Sequence, residues 1–448
     1  MSDLLSIGAS GVRAYQTALN TVGENIANTG VAGYTRRTTE LREVSATSGS
    51  INARYVTSGN GVAVAGIGRV ADMFKAASVR QSSSDLGRTA AAATWLDRIE
   101  TGLTDNGLSD KLTAFFTAAR TLSGDPTSIP SRAVLIETAT STALGFQQTG
   151  IALDRTMTEL DASGQQGVQT LNALATQLAK INDGLGRSSP GTASAAQLMD
   201  QRDQVLEQMS GLTDLSVRMD DLGRSTVTIG GSGGPTLVAG NTEGRVAYLR
   251  GATGAVSFVV QRTGTTAAFS PLGGALAGVV DGAQRIAETR TSLNAVAADF
   301  ATQVNAVQAQ GRTLDGVAGA PLFATGATPT DLRVVMTDPR GIAAAGAGGG
   351  TRDASNLAAL QTVRTTRDFE GRTTTLITAN AAALAQKQQV ADAQGSIRDG
   401  AIAARDAVSA VDLDNEAVEL LRFQQAYQAS ARVIQVARET MQSILDIR

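Results

Sequence analysis

"ENIANTGVAGYTRR", residues 24–37, ends an apolar-striped N-terminal segment on glycine and then presents a tyrosine and two arginines. Upstream of it, apolar or small residues recur every three and four positions at Leu5, Gly8, Val12, Tyr15, Leu19, Val22 and Ile26, the spacing of a helix with a narrow seam. Asp3 stands where an N-cap is expected and Gly30 where a helix stop is expected. The other terminus carries a matching pattern. Between Val411 and Arg448, Leu413, Leu420, Tyr427, Ile434 and Met441 recur every seven residues, and Phe423, Ala437 and Ile444 form a row three positions after them. Asp412 or Asp414 is placed to cap that helix, and Glu416 and Glu419 lie in its first turns, where the helix dipole favours anions. Each seam occupies about two positions in seven, the width of a coiled-coil stripe rather than of a helix lying on a globular core. Each therefore needs a partner helix, either the other terminus or a neighbouring subunit.

Composition narrows the function classes. The chain contains no Cys and no His, which removes thiolate nucleophiles, disulfides, Cys/His metal sites and His-dependent triads together. No cofactor or metal is expected. A net charge of −3 without a basic block argues against nucleic acid and anionic membrane as partners. The first residues have no basic, apolar and small-residue order of a secretory signal, and no stretch reaches the length of a membrane span, so neither a signal peptide nor membrane insertion is expected.

Between the termini, residues from about 71 to 211 read as long helices, broken at "GDPTSIP" (124–130) and "SSPGTAS" (188–194). From Leu215 the period shortens to alternating runs of Val and Thr between Gly and Asn turns, which predicts a small β domain. Helical pattern returns near Ala275 and runs to about Gln310. A loop-rich stretch over 313–350 follows, and a further helix from about Ser355 leads to the C-terminal seam. The expected fold class is mainly α: terminal coiled-coil helices plus a long helical-bundle domain, with a small inserted β domain and the two termini together. The expected domains are 1–58 with 405–448 for assembly, 59–212 with 272–404 for the helical middle, and 213–271 for the β insert.

Few residues invite a chemical reading. Asp200 and Asp203 in "MDQRDQ" could serve as paired carboxylates, but with Arg202 between them a solvated or salt-bridged helix face is the better reading. "GGSGGP" (230–235) lacks the Gly-Lys-Ser/Thr of a phosphate loop and reads as a hairpin turn. Tyr34 with Arg36 and Arg37 reads, on the residues alone, as a solvated loop.

The helix followed by "NIANTGVAGYTRR", together with "NEAVELLRFQQAYQASARVIQVARETMQSIL", resembles the terminal signatures of the bacterial flagellar axial proteins, the family of rod, hook and hook-associated subunits. Asn25, Ala27, Asn28, Gly33 and Tyr34 fall on that family's "NIAN…GY" motif, and Gln424, Ala426, Tyr427 and Ala431 on its "QxAYxAxA" motif. The "YTRR" ending and the segments 59–74, 197–212 and 273–282 are similar to the hook-associated branch, whereas hook and rod proteins more often end the motif in "GFK" or "GYK".

The resemblance implies a structural, non-enzymatic protein that joins hook to filament, is exported by the flagellar type III apparatus and lies outside the cell. Its implied partners are further copies of itself in a ring or helical lattice, hook protein, a second junction protein on the filament side, and a cytoplasmic export chaperone covering the C-terminal helix. The implied assembly surface comprises the two seams with Asn25, Asn28, Gly33, Tyr34, Arg36 and Gln424, and Tyr34, Arg36 and Arg37 are expected to reach neighbouring subunits. The alternatives are a hook or rod subunit, or an extracellular glycan-binding or hydrolytic protein carried on flagellar termini. Against the last, the β region offers only Asp220, Asp221 and Glu243 with the single Tyr248.

Overall fold

The computed structural model describes residues 2–44 and 59–446. The expectation for residues 45–58, as part of the first domain, lies outside the described residues. The chain opens with α1 (Ser2–Ala27), followed by two antiparallel strands, β1 (Arg37–Glu43) and β2 (Val62–Arg69). Four helices follow: α2 (Met73–Thr104), α3 (Leu108–Gly124), the 59-residue α4 (Ile129–Arg187) and α5 (Ala193–Leu212). Their boundaries have local causes. The Asp72 carboxylate accepts hydrogen bonds from the first amides of α2, Ser128 caps α4 ahead of Pro130, and Thr192 caps α5.

The insert consists of seven short strands in two antiparallel sheets. β3 (Leu215–Met219), β4 (Ser225–Ile229), β5 (Thr236–Ala239) and β6 (Thr242–Glu243) form the first. The second holds β7 (Arg245–Arg250), β8 (Val256–Arg262) and β9 (Thr265–Phe269). The "GGSGGP" segment is the loop of the β4–β5 hairpin, as its glycines suggested. Then come α6 (Gly274–Gln310), the short pair β10 (Phe323–Thr325) and β11 (Leu332–Val334), α7 (Ser355–Arg367), α8 (Phe369–Ser409) and α9 (Leu413–Asp446). The mainly helical fold with an inserted β region matches the expectation.

Two cores hold the middle of the molecule. In the first, α2, α3, α4, α6 and α7 converge on Phe115, Phe116, Phe146, Phe300, Phe323 and Phe369, which account for six of the ten phenylalanines. Phe300 lies within 5.2–6.2 Å, centroid to centroid, of the other five rings, mostly in edge-on or tilted arrangements. Arg132 is 1% exposed beside this core. Its guanidinium donates to the carbonyls of Pro126 (2.7 Å) and Ile342 (2.6 Å), tying the start of α4 to the loop before α7, and burial lowers its pKa. The second core joins the C-terminal half of α4 and α5 to the inner faces of both insert sheets, through residues such as Leu178, Leu206, Val227 and Phe258.

Several boundaries differ from the sequence reading. The helix α1 begins at Ser2, so Asp3 lies inside its first turn rather than capping it. A break at 105–107, where Gly107 adopts positive φ, divides the first long helix. The strands β1 and β2 were not anticipated, and they pair across the expected domain boundary at 58/59. The boundary expected at 404/405 falls inside α8, which packs along α2.

Because Phe300 is the hub of the aromatic core, Phe300→Ala should destabilise the helical body by about 3–5 kcal/mol through lost packing and an unfilled cavity. Urea denaturation followed by helical circular dichroism measures this. A loss below about 1 kcal/mol would show that the cluster is not the centre of stability.

Candidate assembly interface

The two terminal helices pair antiparallel. Gly8 of α1 lies against Ile434 of α9, Gly11 against Ser430, Tyr15 near Phe423 with ring centroids 6.3 Å apart, and Asn25 against Glu416. The approach is close: a Cβ at Gly8 would lie 2.7 Å from Ile434 Cγ1, and one at Gly11 2.5 Å from Ser430 Oγ. The face of α1 that is buried is therefore a small-residue stripe, Gly8, Gly11, Ala14 and Ala18, continued by Thr21, Val22 and Asn25. The expected seam is displaced from it. Val22 is buried and Val12, Tyr15 and Leu19 are half-buried at the edge, but Leu5 and Ile26 are exposed. On α9, Leu420, Phe423, Tyr427 and Ile434 are half-buried toward α1 and Ala437 is buried, while Leu413, Gln424, Met441 and Ile444 face outward.

At the end of this pair the opening motif forms a polar junction. Asn25 is fully buried and satisfied on every side: Nδ2 donates to the Arg37 carbonyl (2.8 Å) and to Glu416 Oε2 (3.0 Å), and Oδ1 accepts from Tyr34 Oη (2.9 Å) and the Arg37 amide (3.0 Å). Glu416, 1% exposed, also accepts from Arg36 Nε at 2.6 Å, a charge-assisted bond. The Arg36 amide donates to the Ser409 carbonyl at the end of α8, at 2.8 Å. Gly33 turns the chain at φ +76°, a conformation in which a side chain is strained, and this aims Tyr34 back at Asn25. Burial raises the Tyr34 pKa, with the Arg37 guanidinium 4.9 Å from the ring opposing that shift. Asn28 stays local, donating to the Glu24 carbonyl.

The junction continues into the helical body. Arg69, which faces Arg37 across the β1–β2 pair, lies 2.8 Å from Asp200 and donates to Asp203 at 2.8 Å. Arg37 reaches Glu24 (3.1 Å) and Asp200 (3.6 Å). Asp200, 6% exposed, has its pKa raised by burial, with Arg69, then a hydrogen bond from Thr35, then Arg37 pulling it the other way. Arg405 of α8 adds a tie to Glu207 of α5 at 2.8 Å. Arg69, Asp200, Asp203, Glu207 and Arg405 border a cleft of about 910 Å³ between the motif loop, α2, α5 and the end of α8.

Within the chain, Tyr34, Arg36 and Arg37, expected to reach neighbouring subunits, contact Asn25, Glu416 and Glu24 respectively. In the sequence Asp200 reads as part of a solvated or salt-bridged face in preference to a carboxylate pair, Glu416 reads as a dipole-favoured anion, and nothing marks Arg69. In the structure Asp200 lies four residues after buried Ala196, on the inward stripe of α5.

A family model described as the flagellar hook-associated protein FlgK helical domain matches residues 94–323, just over half of the chain. The chain belongs to the flagellar hook-associated protein FlgK family. A second model, the flagellar basal body rod FlgEFG protein C-terminal region, matches residues 406–447, which hold α9. The FlgK-family chain is 31% identical over 337 residues to flagellar hook-associated protein 1 of Salmonella typhimurium, covering 73% of this chain and 60% of the relative, so it spans well under two thirds of that relative's length. It is 25% identical to flagellar hook-associated protein 1 of Bacillus subtilis over 97% of this chain and 96% of the relative. In fold it is like the flagellar hook junction protein FlgK from Burkholderia pseudomallei, with a TM-score of 0.50 at 23% identity over 56% of this chain and 47% of that one.

The buried Asp200 gives the junction a pH signature. Its folded pKa is raised, so the folded state binds the proton more tightly than the unfolded chain. The stabilisation is present below the ordinary carboxylate value of about 4 and is lost as pH rises through the elevated folded value. The Asp200→Asn variant lacks this component. Its stability relative to the parent should therefore increase between pH 4 and pH 7 in urea titrations; a decrease would mean that Arg69 and Arg37 outweigh burial.

Proposed function

We propose that this chain is a structural, non-catalytic subunit at the junction between flagellar hook and filament. In this reading it is exported by the flagellar type III apparatus and assembled outside the cell. It stacks with further copies of itself in a ring or helical lattice, with hook protein below and a second junction protein above. The observation that carries the reading is the apolar surface left on two helices that are already paired. Leu413, Val418, Leu421, Val436, Met441, Ile444 and Leu445 on α9, with Leu4, Leu5 and Ile26 on α1, are 36–64% exposed. Apolar side chains exposed in this number along the two terminal helices mark them as an interaction surface. Among the described residues no helix is long and apolar enough to cross a membrane, so a bilayer does not cover it as a spanning helix.

The assembly surface then divides by role. The outward residues Leu5, Ile26, Leu413, Gln424, Met441 and Ile444 contact neighbouring subunits. Val12, Tyr15, Leu19, Val22, Leu420, Phe423, Tyr427 and Ile434 hold α1 to α9, and Asn25, Asn28, Gly33, Tyr34 and Arg36 shape the corner that presents the pair. The terminal pair, the helical middle and the β insert act as assembly, body and surface domains. Before export, a cytoplasmic chaperone covers α9, because an exposed apolar stripe invites premature association. The resemblance to flagellar hook-associated protein 1 of Salmonella typhimurium and Bacillus subtilis supports the junction over a hook or rod position.

Deleting the gene should leave cells with hooks that lack filaments and with flagellin shed into the medium, read by electron microscopy and immunoblotting. Cells without hooks would move the chain to the hook or rod, and normal filaments would refute the reading. A finer test is Leu421→Glu, which alters a 59% exposed side chain. Thermal stability should change by no more than about 0.5 kcal/mol, as for other surface substitutions, while filament attachment fails.

A further inference from the structure

The apolar contacts between α1 and α9 do not define a single alignment. Over its first eighteen residues the buried stripe of α1 is Gly8, Gly11, Ala14 and Ala18, none larger than a methyl group, and the larger apolar side chains Val12, Tyr15 and Leu19 pack only at its edge. The α9 row Leu413, Leu420, Tyr427, Ile434 and Met441 repeats every seven residues, so a seven-residue slide returns apolar groups to apolar positions. One such slide brings Ala437 to Gly11 in place of Ser430, a shift of about 10 Å at 1.5 Å per residue. It carries Met441 and Ile444, now 56% and 51% exposed, alongside the N-terminal half of α1, where Leu4 and Leu5 are 48% and 43% exposed. It requires no stretched chain, because residues 413–419 can loop out after α8. The slide gives up the Tyr15–Phe423 contact, since Ser430 would take the place of Phe423, and covers Met441 and Ile444 in exchange.

The polar junction separates the two. The socket is built independently of α9: Tyr34 and the Arg37 amide hold Asn25 Oδ1, and Arg36 is anchored by its own backbone to Ser409 and Val70. Glu416 is the moving part that enters it, accepting from Asn25 Nδ2 at 3.0 Å and Arg36 Nε at 2.6 Å. After the slide Phe423 would face Asn25, leaving its amide and the Arg36 guanidinium without their acceptor. We propose that Glu416, received by Asn25 and Arg36, sets the axial register of α9 on α1. A single buried polar contact is a known way to fix alignment between helices whose apolar faces are degenerate. The contact makes Glu416 a positioning residue, and it assigns Asn25 of the terminal motif to alignment within the chain.

Disulfide trapping in the full-length chain reads the register, and the absence of cysteine removes background. Gly11→Cys with Ser430→Cys reports the observed alignment, since an ideal Cβ at Gly11 lies 3.1 Å from Ser430 Cβ and modest separation brings the pair to disulfide geometry. Gly11→Cys with Ala437→Cys reports the slid one. Each pair is oxidised with Glu416 intact, with Glu416→Gln, which keeps a carbonyl acceptor for Asn25, and with Glu416→Leu. With Glu416 or its Gln variant the 11–430 product should exceed the 11–437 product at least tenfold, and in Glu416→Leu the 11–437 product should rise at least tenfold. Unchanged 11–430 yield in Glu416→Leu overturns the proposal. So does loss of both products, which would make the contact merely stabilising, or failure of the 11–430 pair to form with Glu416 present. The experiment reads contacts within one chain, so it stands or fails separately from the junction function.

Discussion

One dry amide organises this molecule. Asn25 has all four of its hydrogen-bonding positions occupied, by groups from the loop after α1, from β1 and from α9. An unsatisfied buried amide is expensive, so these groups are held together or not at all. The helix α1 must end near Ala27, Gly33 must turn the loop back, β1 must start at Arg37, and α9 must present Glu416 at the same point. The antiparallel terminal pair follows from these four requirements. A seam of glycine and alanine then allows the two helices to approach until side chain meets backbone.

From that corner, constraint passes into the body through charge. Arg37, Arg69 and Arg405 meet Glu24, Asp200, Asp203 and Glu207 between the terminal pair and α5, with the β1–β2 strands as the carrier. Several of these groups are nearly dry, so they act as geometric specification more than as a source of net stability. The body draws its stability elsewhere, from the phenylalanine cluster around Phe300 and from the apolar layer between α4, α5 and the inserted sheets. A stiff body and a tied corner leave exposed apolar side chains along α9 and at the two ends of α1. That division of labour accords with the proposed role, in which neighbouring subunits complete the terminal helices.

Much of this was legible in the sequence. Apolar spacing and capping residues placed the long helices, Gly and Pro clusters placed the breaks, and alternation of Val and Thr placed the insert, because each is a local property of backbone and side chain. The termini were legible as two narrow stripes needing partners, and their motifs as those of flagellar axial proteins. The β1–β2 pair was not: "RTTELRE" offers few apolar residues to alternate, and its partner strand is interrupted by glycines, so pairing shows only once the two segments meet. Nor was the inward turn of Tyr34 and Arg36 visible, because an arginine after a glycine turn looks the same whether it faces solvent or a carboxylate 380 residues away.

By itself the sequence determined the helix periods, the place of the insert, the exclusion of Cys and His chemistry, and the family to which the termini point. Tertiary structure decided which face of each stripe is used. The intended seam of α1 was rotated in favour of its smallest residues, because helix axes come closest where Cβ atoms are absent or few. It also decided which charges are structural: Glu416 and Asp200 acquire their roles from burial and from guanidinium groups far away in the chain, and no local pattern encodes that distance.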